Sequence, residues 1–107
     1  MNRIKITEMA EVIRSKNSGP YELTFDIIFK DRENFELARR SGVFTKKMFA
    51  VLYGIETDRV IDVIEFAQAN AIKATIVRPV VSGGAGDHDI YGAQQHAPLL
   101  NIEVPVE

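Results

Sequence analysis

The residues best suited to chemistry lie in one segment, residues 80–98, which contains both histidines of the chain and four of its seven glycines. Histidine exchanges a proton near neutral pH and can act as a general acid or base. His96 is therefore a candidate catalytic residue, with Asp87 as a second acid–base group. The other side chains predicted to contact a ligand are His88, Asp89, Tyr91, Gln94 and Gln95. The alternative is that these polar groups hydrogen-bond the backbone of their own segment, or a partner.

A glycine-rich stretch begins the same segment, with Gly83, Gly84 and Gly86 as predicted ligand-binding residues. Glycine allows the backbone to approach a ligand closely, and successive backbone N–H groups can surround an anion. The stretch is not a P-loop, because Lys and Ser or Thr are missing after the last glycine. The alternative is a flexible connector that binds nothing.

A metal site is the less favoured interpretation of the acidic and histidine side chains. Asp87, His88, Asp89 and His96 are ligand types that Zn, Mn or non-haem Fe accept. However, the sequence contains none of the compact spacings that a helix provides, such as His-Glu-x-x-His. We therefore predict no cofactor and no metal ligand.

A second polar cluster lies near the N-terminus, at Arg14, Ser15, Lys16 and Asn17. Two cations within three residues, together with a hydroxyl and an amide, suit a carboxylate or a phosphate. Because residues 79–107 contain no Lys or Arg, we expect this cluster and the segment 82–96 to share one end of the sheet and bind one anion. The alternative is an exposed hairpin turn. Asp26 is expected on the opposite face from Phe25, where it is solvated or paired.

The elements that must position these residues follow from hydrophobic patterning and turn signals. Alternation and β-branched residues predict strands, whereas apolar spacing with a capping residue and a closing glycine predicts helices. The predicted strands span 8–13, 22–30, 60–66, 71–77 and 100–104, and the predicted helices are 32–40, after Asp31, and a short one after Thr45 that ends at Gly54. The order β-β-α-α-β-β-β predicts an α+β fold, a mainly antiparallel sheet of about five strands with two short helices on one face.

Composition limits the class of protein. The 107 residues are 46% hydrophobic and 26% charged, as in a single globular domain spanning 1–107. The absence of cysteine excludes disulfides and cysteine nucleophiles. With a net charge of −2 and no strongly basic element, nucleic-acid binding is not expected. No apolar stretch has the length of a signal peptide or a membrane span, so a cytoplasmic location is predicted.

Three stretches carry a resemblance that covers nearly the whole chain: residues 12–20, 23–27 and 91–100. They resemble a family of small bacterial and archaeal domains of unknown function. Its members tend to be encoded beside, or fused to, proteins like AtuA of acyclic terpene utilisation. The chain also resembles, more distantly, the small C-terminal domain of the AtuA-like proteins. That domain has an Arg-Ser-x-x-x-Gly turn usually followed by Gly-Asp-Lys-Gly, where this chain has Lys16-Asn17-Ser18-Gly19, so no role of that Asp is transferred.

The resemblance implies an accessory or small subunit that works with a larger AtuA-like subunit on a small organic acid or an acyl-CoA, as in a lyase or hydratase complex. Its polar, glycine-rich segment would then contribute to a shared site. The first alternative is an independent small enzyme that uses loop His and Asp residues as acid–base or metal groups. The second is a structural homo-oligomer without catalysis. A chain of this size has little room for a water-excluding cleft of its own, which favours the shared site.

Overall fold

The computed structural model describes residues 2–19, 21–77 and 97–106. Its strands are β1 (Asn2–Lys5), β2 (Ala10–Gly19), β3 (Glu22–Phe29), β4 (Val60–Phe66), β5 (Ala71–Val77) and β6 (Glu103–Val106). Its α-helices are α1 (Ile6–Met9), α2 (Arg32–Ser41) and α3 (Lys46–Tyr53), and short 3₁₀ helices span Thr57–Arg59, Ala67–Ala69 and Ala97–Asn101. The mixed content confirms the predicted α+β class.

The main sheet has four strands in the order β2-β3-β5-β4, and all neighbours are antiparallel. Alternation in β3 sets the two faces of this sheet. Leu23, Phe25, Ile27 and Phe29 are all buried in the core on one side, here called the inner face. The residues between them lie on the other side, here called the open face. The periodicity of two in the sequence therefore sorts the strand correctly.

Two helices cover the inner face, and both begin and end where the sequence predicts. The Asp31 side chain accepts a hydrogen bond from the Asn34 N–H at 2.8 Å, and Thr45 caps α3 in the same way through Met48. Gly42 and Gly54 end the helices with φ of 72° and 66°, a left-handed conformation that glycine adopts without steric cost. The helices bury Phe35, Ala38, Phe49 and Ala50 in the same core as the inner face of the sheet.

The ends of the chain form a second sheet that the sequence does not predict. β1 pairs antiparallel with β6, with Asn2 opposite Val106 and Lys5 opposite Glu103. The last predicted strand, 100–104, is therefore wrong in its start and its partner, because a 3₁₀ helix spans Ala97–Asn101 and the strand begins at Glu103. The predicted strand 8–13 likewise begins later, since α1 occupies Ile6–Met9.

Candidate functional site

The polar cluster at residues 14–17 lies inside a strand, so the alternative drawn from the sequence, an exposed hairpin turn at these residues, is wrong. β2 continues to Gly19, which lies opposite Glu22 at the hairpin end. Pairing with eight residues of β3 outweighs the local turn preference of Asn, Ser and Gly. Because successive strand residues point to opposite faces, the cluster divides in two. Arg14 and Lys16 lie on the open face, whereas Ser15 and Asn17 lie on the inner face.

A row of charged side chains crosses the open face. Arg14 lies opposite Asp26, which in turn lies opposite Lys73 on β5. The Nε of Arg14 donates to Oδ2 of Asp26 at 3.1 Å. Asp26 is thus paired on the face opposite Phe25, as the sequence predicts. One carboxylate lies between two cations, so this row carries an excess of positive charge.

A row of hydroxyl groups lies beside the charged row, nearer the hairpin. Lys16 is opposite Thr24, and Thr24 is opposite Thr75. The Oγ1 of Thr24 donates to Oγ of Ser18 at 3.0 Å and lies 3.4 Å from Oγ1 of Thr75. Thr24 is buried and already donates to Ser18. The hydroxyls of Ser18 and Thr75 are the members of the row that could donate to an anion held by the neighbouring cations.

The charge on the open face is unevenly distributed between its edges. Arg14 and Lys16 lie on β2, at one edge of the sheet, and Asp62 lies on β4, at the other edge. Glu22 borders the hairpin end. The half of the open face formed by Arg14, Lys16, Lys73 and the hydroxyl row is here called the cationic half. It matches the chemistry of a carboxylate or a phosphate.

The open face is separate from the core. Val12, Ile28 and Phe66 form an apolar row across it with Ala71, since Val12 pairs with Ile28, and Ala71 pairs with both Ile28 and Phe66. Val12, Ile28 and Phe66 do not belong to the core cluster or to the hydrophobic side chains packed against it. In the described ranges, both long helices bury their apolar side chains on the inner face instead. The cationic half therefore adjoins an apolar strip on a face that these helices leave uncovered.

The inner side of the sheet also carries polar side chains, among them Ser15, Asn17 and Tyr53. Ser15 is buried opposite Phe25, and Asn17 lies opposite Leu23. The ring of Tyr53 stacks on Phe25 with centroids 4.7 Å apart. Burial raises the pKa of the Tyr53 hydroxyl well above its usual value, so it stays protonated at neutral pH. Sequence reasoning missed Tyr53 as a polar group, because its helical spacing from Phe49 indicates only core packing.

The raised pKa of Tyr53 predicts a loss of stability at high pH. In the unfolded chain a tyrosine ionises near pH 10, whereas in the folded chain ionisation needs a higher pH. The contribution of Tyr53 is therefore fully present below about pH 10 and falls as the pH rises above it. Urea denaturation between pH 8 and pH 11 should show a steeper decline for the unmodified chain than for Tyr53→Phe. Parallel profiles would mean that Tyr53 titrates normally.

Residues 78–96, which include the predicted catalytic residues, lie outside the described residues. This applies to His96 and Asp87 and to the predicted ligand-binding residues Gly83, Gly84, Gly86, His88, Asp89, Tyr91, Gln94 and Gln95. The residue before the segment is informative, however. Val77 lies opposite Glu22, so β5 ends at the hairpin end of the sheet, a few residues from Lys16. After the segment, Leu99 is buried in the core.

The described part of the chain has neither a cluster of metal ligands nor a membrane-spanning helix. No group of three or more His, Cys, Asp or Glu residues there could hold a metal ion. The four residues considered as metal ligands from the sequence lie outside that part. No helix among the described residues has both the length and the apolar character needed to cross a membrane.

A cavity of about 350 Å³ lies between α2 and the β4 edge of the sheet. It is lined by Ala38, Arg39, Gly42, Phe44, Val63, Ile64, Glu65 and Ile72. None of these residues was predicted as a site from the sequence. The cavity is on the other side of the sheet from the cationic half, so the two are separate features.

Comparison with known proteins gives a family and no activity. Residues 6–103 match the model of a domain of unknown function, DUF4387. The match extends from α1 to the first residue of β6, so it includes both faces of the main sheet. No curated protein and no solved structure matches the chain.

Proposed function

The chain belongs to the DUF4387 family of domains of unknown function, and we propose that it is the accessory subunit of a complex that binds a small organic acid or an acyl-CoA. The ligand's carboxylate or phosphate groups bind at the cationic half of the open face. The larger subunit covers that face. On the sequence resemblance stated above, that subunit is an AtuA-like protein.

The observation that carries this proposal is the row Arg14–Asp26–Lys73 beside Lys16 and Thr24. Guanidinium and ammonium groups pair with carboxylates and phosphates through charge-assisted hydrogen bonds. Asp26 holds the Arg14 side chain in place, because its Oδ2 accepts from Nε at 3.1 Å and leaves the other guanidinium nitrogens outside that bond. The arrangement supports recognition of an anion.

The apolar strip beside the cationic half supports a shared site. A strip that contains Phe66, 45% exposed, on a sheet face away from the core is the kind of surface that a protein partner covers. A partner would also exclude water from the neighbouring cations and so strengthen their attraction for an anion. The ligand would then lie between two chains.

We further propose that residues 78–96 take part in the same site. It begins after Val77, which lies opposite Glu22 at the hairpin end and near Lys16. Backbone N–H groups at Gly83, Gly84 and Gly86 could bind the anion opposite the cations of β2, and His96 with Asp87 would supply any acid–base step. This part of the proposal rests on the sequence.

The test is the affinity for acetyl-CoA and for succinate, measured by calorimetry on the chain alone and on the complex co-purified with the AtuA-like subunit. Arg14→Ala should weaken binding by about 1.5–3 kcal/mol, the range for a charge-assisted hydrogen bond, or about 10- to 150-fold. Stability should change by less than about 1 kcal/mol, because the Arg14–Asp26 pair is partly exposed. Arg3→Ala is the matched control, since Arg3 is also exposed but lies on β1.

A second variant predicts a change of the opposite sign. Asp26→Asn removes the carboxylate between Arg14 and Lys73 and keeps its shape, so anion affinity should rise. If Arg14 and Asp26 had only a structural role, Arg14→Ala and Asp26→Asn would both lose stability. Their affinities for the anion would then not change in opposite directions. Equal affinity in all three variants, with no retention of the AtuA-like subunit, would contradict the proposal.

A further inference from the structure

The β4 edge of the main sheet is the less protected of its two edges. In the described ranges, β4 pairs with β5 alone. The other edge strand, β2, has register shifts near both ends, a feature that discourages pairing with another chain. β4 has one shift at its start, and its pairing is regular from Asp62 to Phe66.

Apolar side chains are exposed along this same edge. Ile61 and Ile64 are each 40% exposed, and Phe66 is 45% exposed. A regular strand edge with exposed apolar residues is a site for pairing with a further strand. Such pairing would satisfy the backbone groups on this side of β4 and bury the three side chains.

The cavity of about 350 Å³ provides space on the inner side of this edge. Its lining includes one cation and one anion, Arg39 on α2 and Glu65 on β4, together with Val63. Arg39 already donates to Glu36 through Nε and Nη2, but a guanidinium has five N–H donors. The remaining N–H groups of Arg39 can therefore donate to a second carboxylate.

We infer that β4 pairs antiparallel with β4 of a second copy of this chain, with a two-fold axis at Ile64. In this register Ile64 lies opposite its own copy, Asp62 lies opposite Phe66, and Val63 lies opposite Glu65. Glu65 of each copy then enters the other copy's cavity, where Arg39 provides the opposite charge. Both ion pairs form by symmetry, as in an isologous dimer.

Neighbouring registers lack this complementarity. An axis at Asp62 places two carboxylates directly opposite each other, which is destabilising. With the axis at Val63, Glu65 faces Ile61, which does not line the cavity, so the ion pair with Arg39 of the other copy is lost. If the axis passes between two residues, each inner-face residue of one copy lies opposite an open-face residue of the other, because side chains alternate with a period of two.

The dimer and the proposed anion site share part of the open face. Edge pairing extends the sheet to eight strands and leaves the open face of both copies on the same side. Arg14 and Lys16 lie on β2, at the edge away from the dimer axis, whereas Lys73 lies opposite Ile64 and next to that axis. The tests keep the two proposals apart, because affinity for acetyl-CoA measures the anion site and cross-linking through Ile64→Cys measures the dimer.

The absence of cysteine from the chain allows a direct test of the register. Paired residues in an antiparallel sheet have Cα atoms about 4.5–5.5 Å apart, within the range of about 4.4–6.8 Å that a disulfide spans. Ile64→Cys should therefore become a disulfide-linked dimer under mild oxidation. Val51→Cys is the control, since Val51 is 74% exposed on α3, away from the edge. Equal rates for the two variants, or no dimer with Ile64→Cys, would overturn the inference.

Sedimentation of the unmodified chain gives a second, reversible test. Ile64→Lys places two ammonium groups at the axis and should convert the dimer to a monomer that keeps its circular dichroism spectrum. Glu65→Arg should weaken the dimer, and Arg39→Glu added to it should restore association. The pairing would be refuted if the unmodified chain stays monomeric at high concentration. It would also be refuted if Ile64→Lys loses binding to an AtuA-like partner but still associates with a second copy of itself.

Discussion

Phe25→Ala should destabilise the protein by about 3–5 kcal/mol, the usual cost of removing a buried phenylalanine ring. Phe25 has no exposed surface, and its ring stacks on Phe49 and Tyr53 with centroids 6.3 Å and 4.7 Å away. It therefore joins the sheet to α3, and its removal leaves a cavity at that junction. Because domains of this size have about 5–15 kcal/mol of total stability, the variant should be close to unfolding. Urea denaturation measures the difference.

The control for this prediction is Val51→Ala on the exposed side of α3. A surface substitution of this kind changes stability by about 0.5 kcal/mol or less. If Phe25→Ala does not accumulate as folded protein, Phe25→Leu should show a smaller loss, since less volume is removed. A loss below about 1 kcal/mol for Phe25→Ala would show that α3 does not pack on the inner face as described.

The double variant Arg14→Glu, Lys16→Glu should reduce affinity for acetyl-CoA by at least about 100-fold. Each cation is expected to contribute about 1.5–3 kcal/mol through a charge-assisted hydrogen bond, and the new carboxylates repel the anion. The fold should persist, because both side chains are exposed and lie on the open face, away from the core. Calorimetry with acetyl-CoA, and retention of the AtuA-like subunit on an affinity column, measure the two expected losses.

A matched control separates local charge from net charge. Lys46→Glu, Lys47→Glu replaces two cations by two anions, as the test variant does, and so produces the same change in net charge. Lys46 and Lys47 lie in the first turn of α3, where acidic side chains are tolerated or slightly stabilising. This control should bind acetyl-CoA as the unmodified chain does. An equal loss in both double variants would mean that binding responds to net charge alone.

The helices and the inner face of the sheet could be predicted from the sequence because their signals are local. Asp31 and Thr45 cap helices that end at Gly42 and Gly54, and each signal lies within a few residues of the element that it bounds. Alternation in β3, which only Ile28 interrupts, likewise assigned Phe25 to the core and Asp26 to the opposite face.

Features that depend on pairing between distant segments could not be predicted in this way. The turn preference of residues 14–19 is real, but β2 is held extended by its register with β3. The pairing of β1 with β6 joins residues about 100 positions apart, and neither strand has a distinctive pattern. The expectation of a single sheet failed for this reason.

The candidate site was predicted in part. Arg14 and Lys16 were identified by residue type, but their separation from Ser15 and Asn17 follows from the strand that contains them. Lys73 escaped notice, since only the register places it beside Asp26. Lys73 and Arg14 lie near each other because β2, β3 and β5 are adjacent, and the sequence of no single strand indicates this.

The measurement that tests the central claim most directly is a titration of the amide resonances of the labelled chain with acetyl-CoA. An anion bound at the cationic half should shift the amides of Arg14 to Lys16, of Thr24 to Asp26 and of Lys73 to Thr75, and leave those of α2 nearly unchanged. The same residues should lose their response in the Arg14→Glu, Lys16→Glu variant. Saturable shifts centred on α2 or on the β1–β6 pair, with the three strand segments unaffected, would contradict the account.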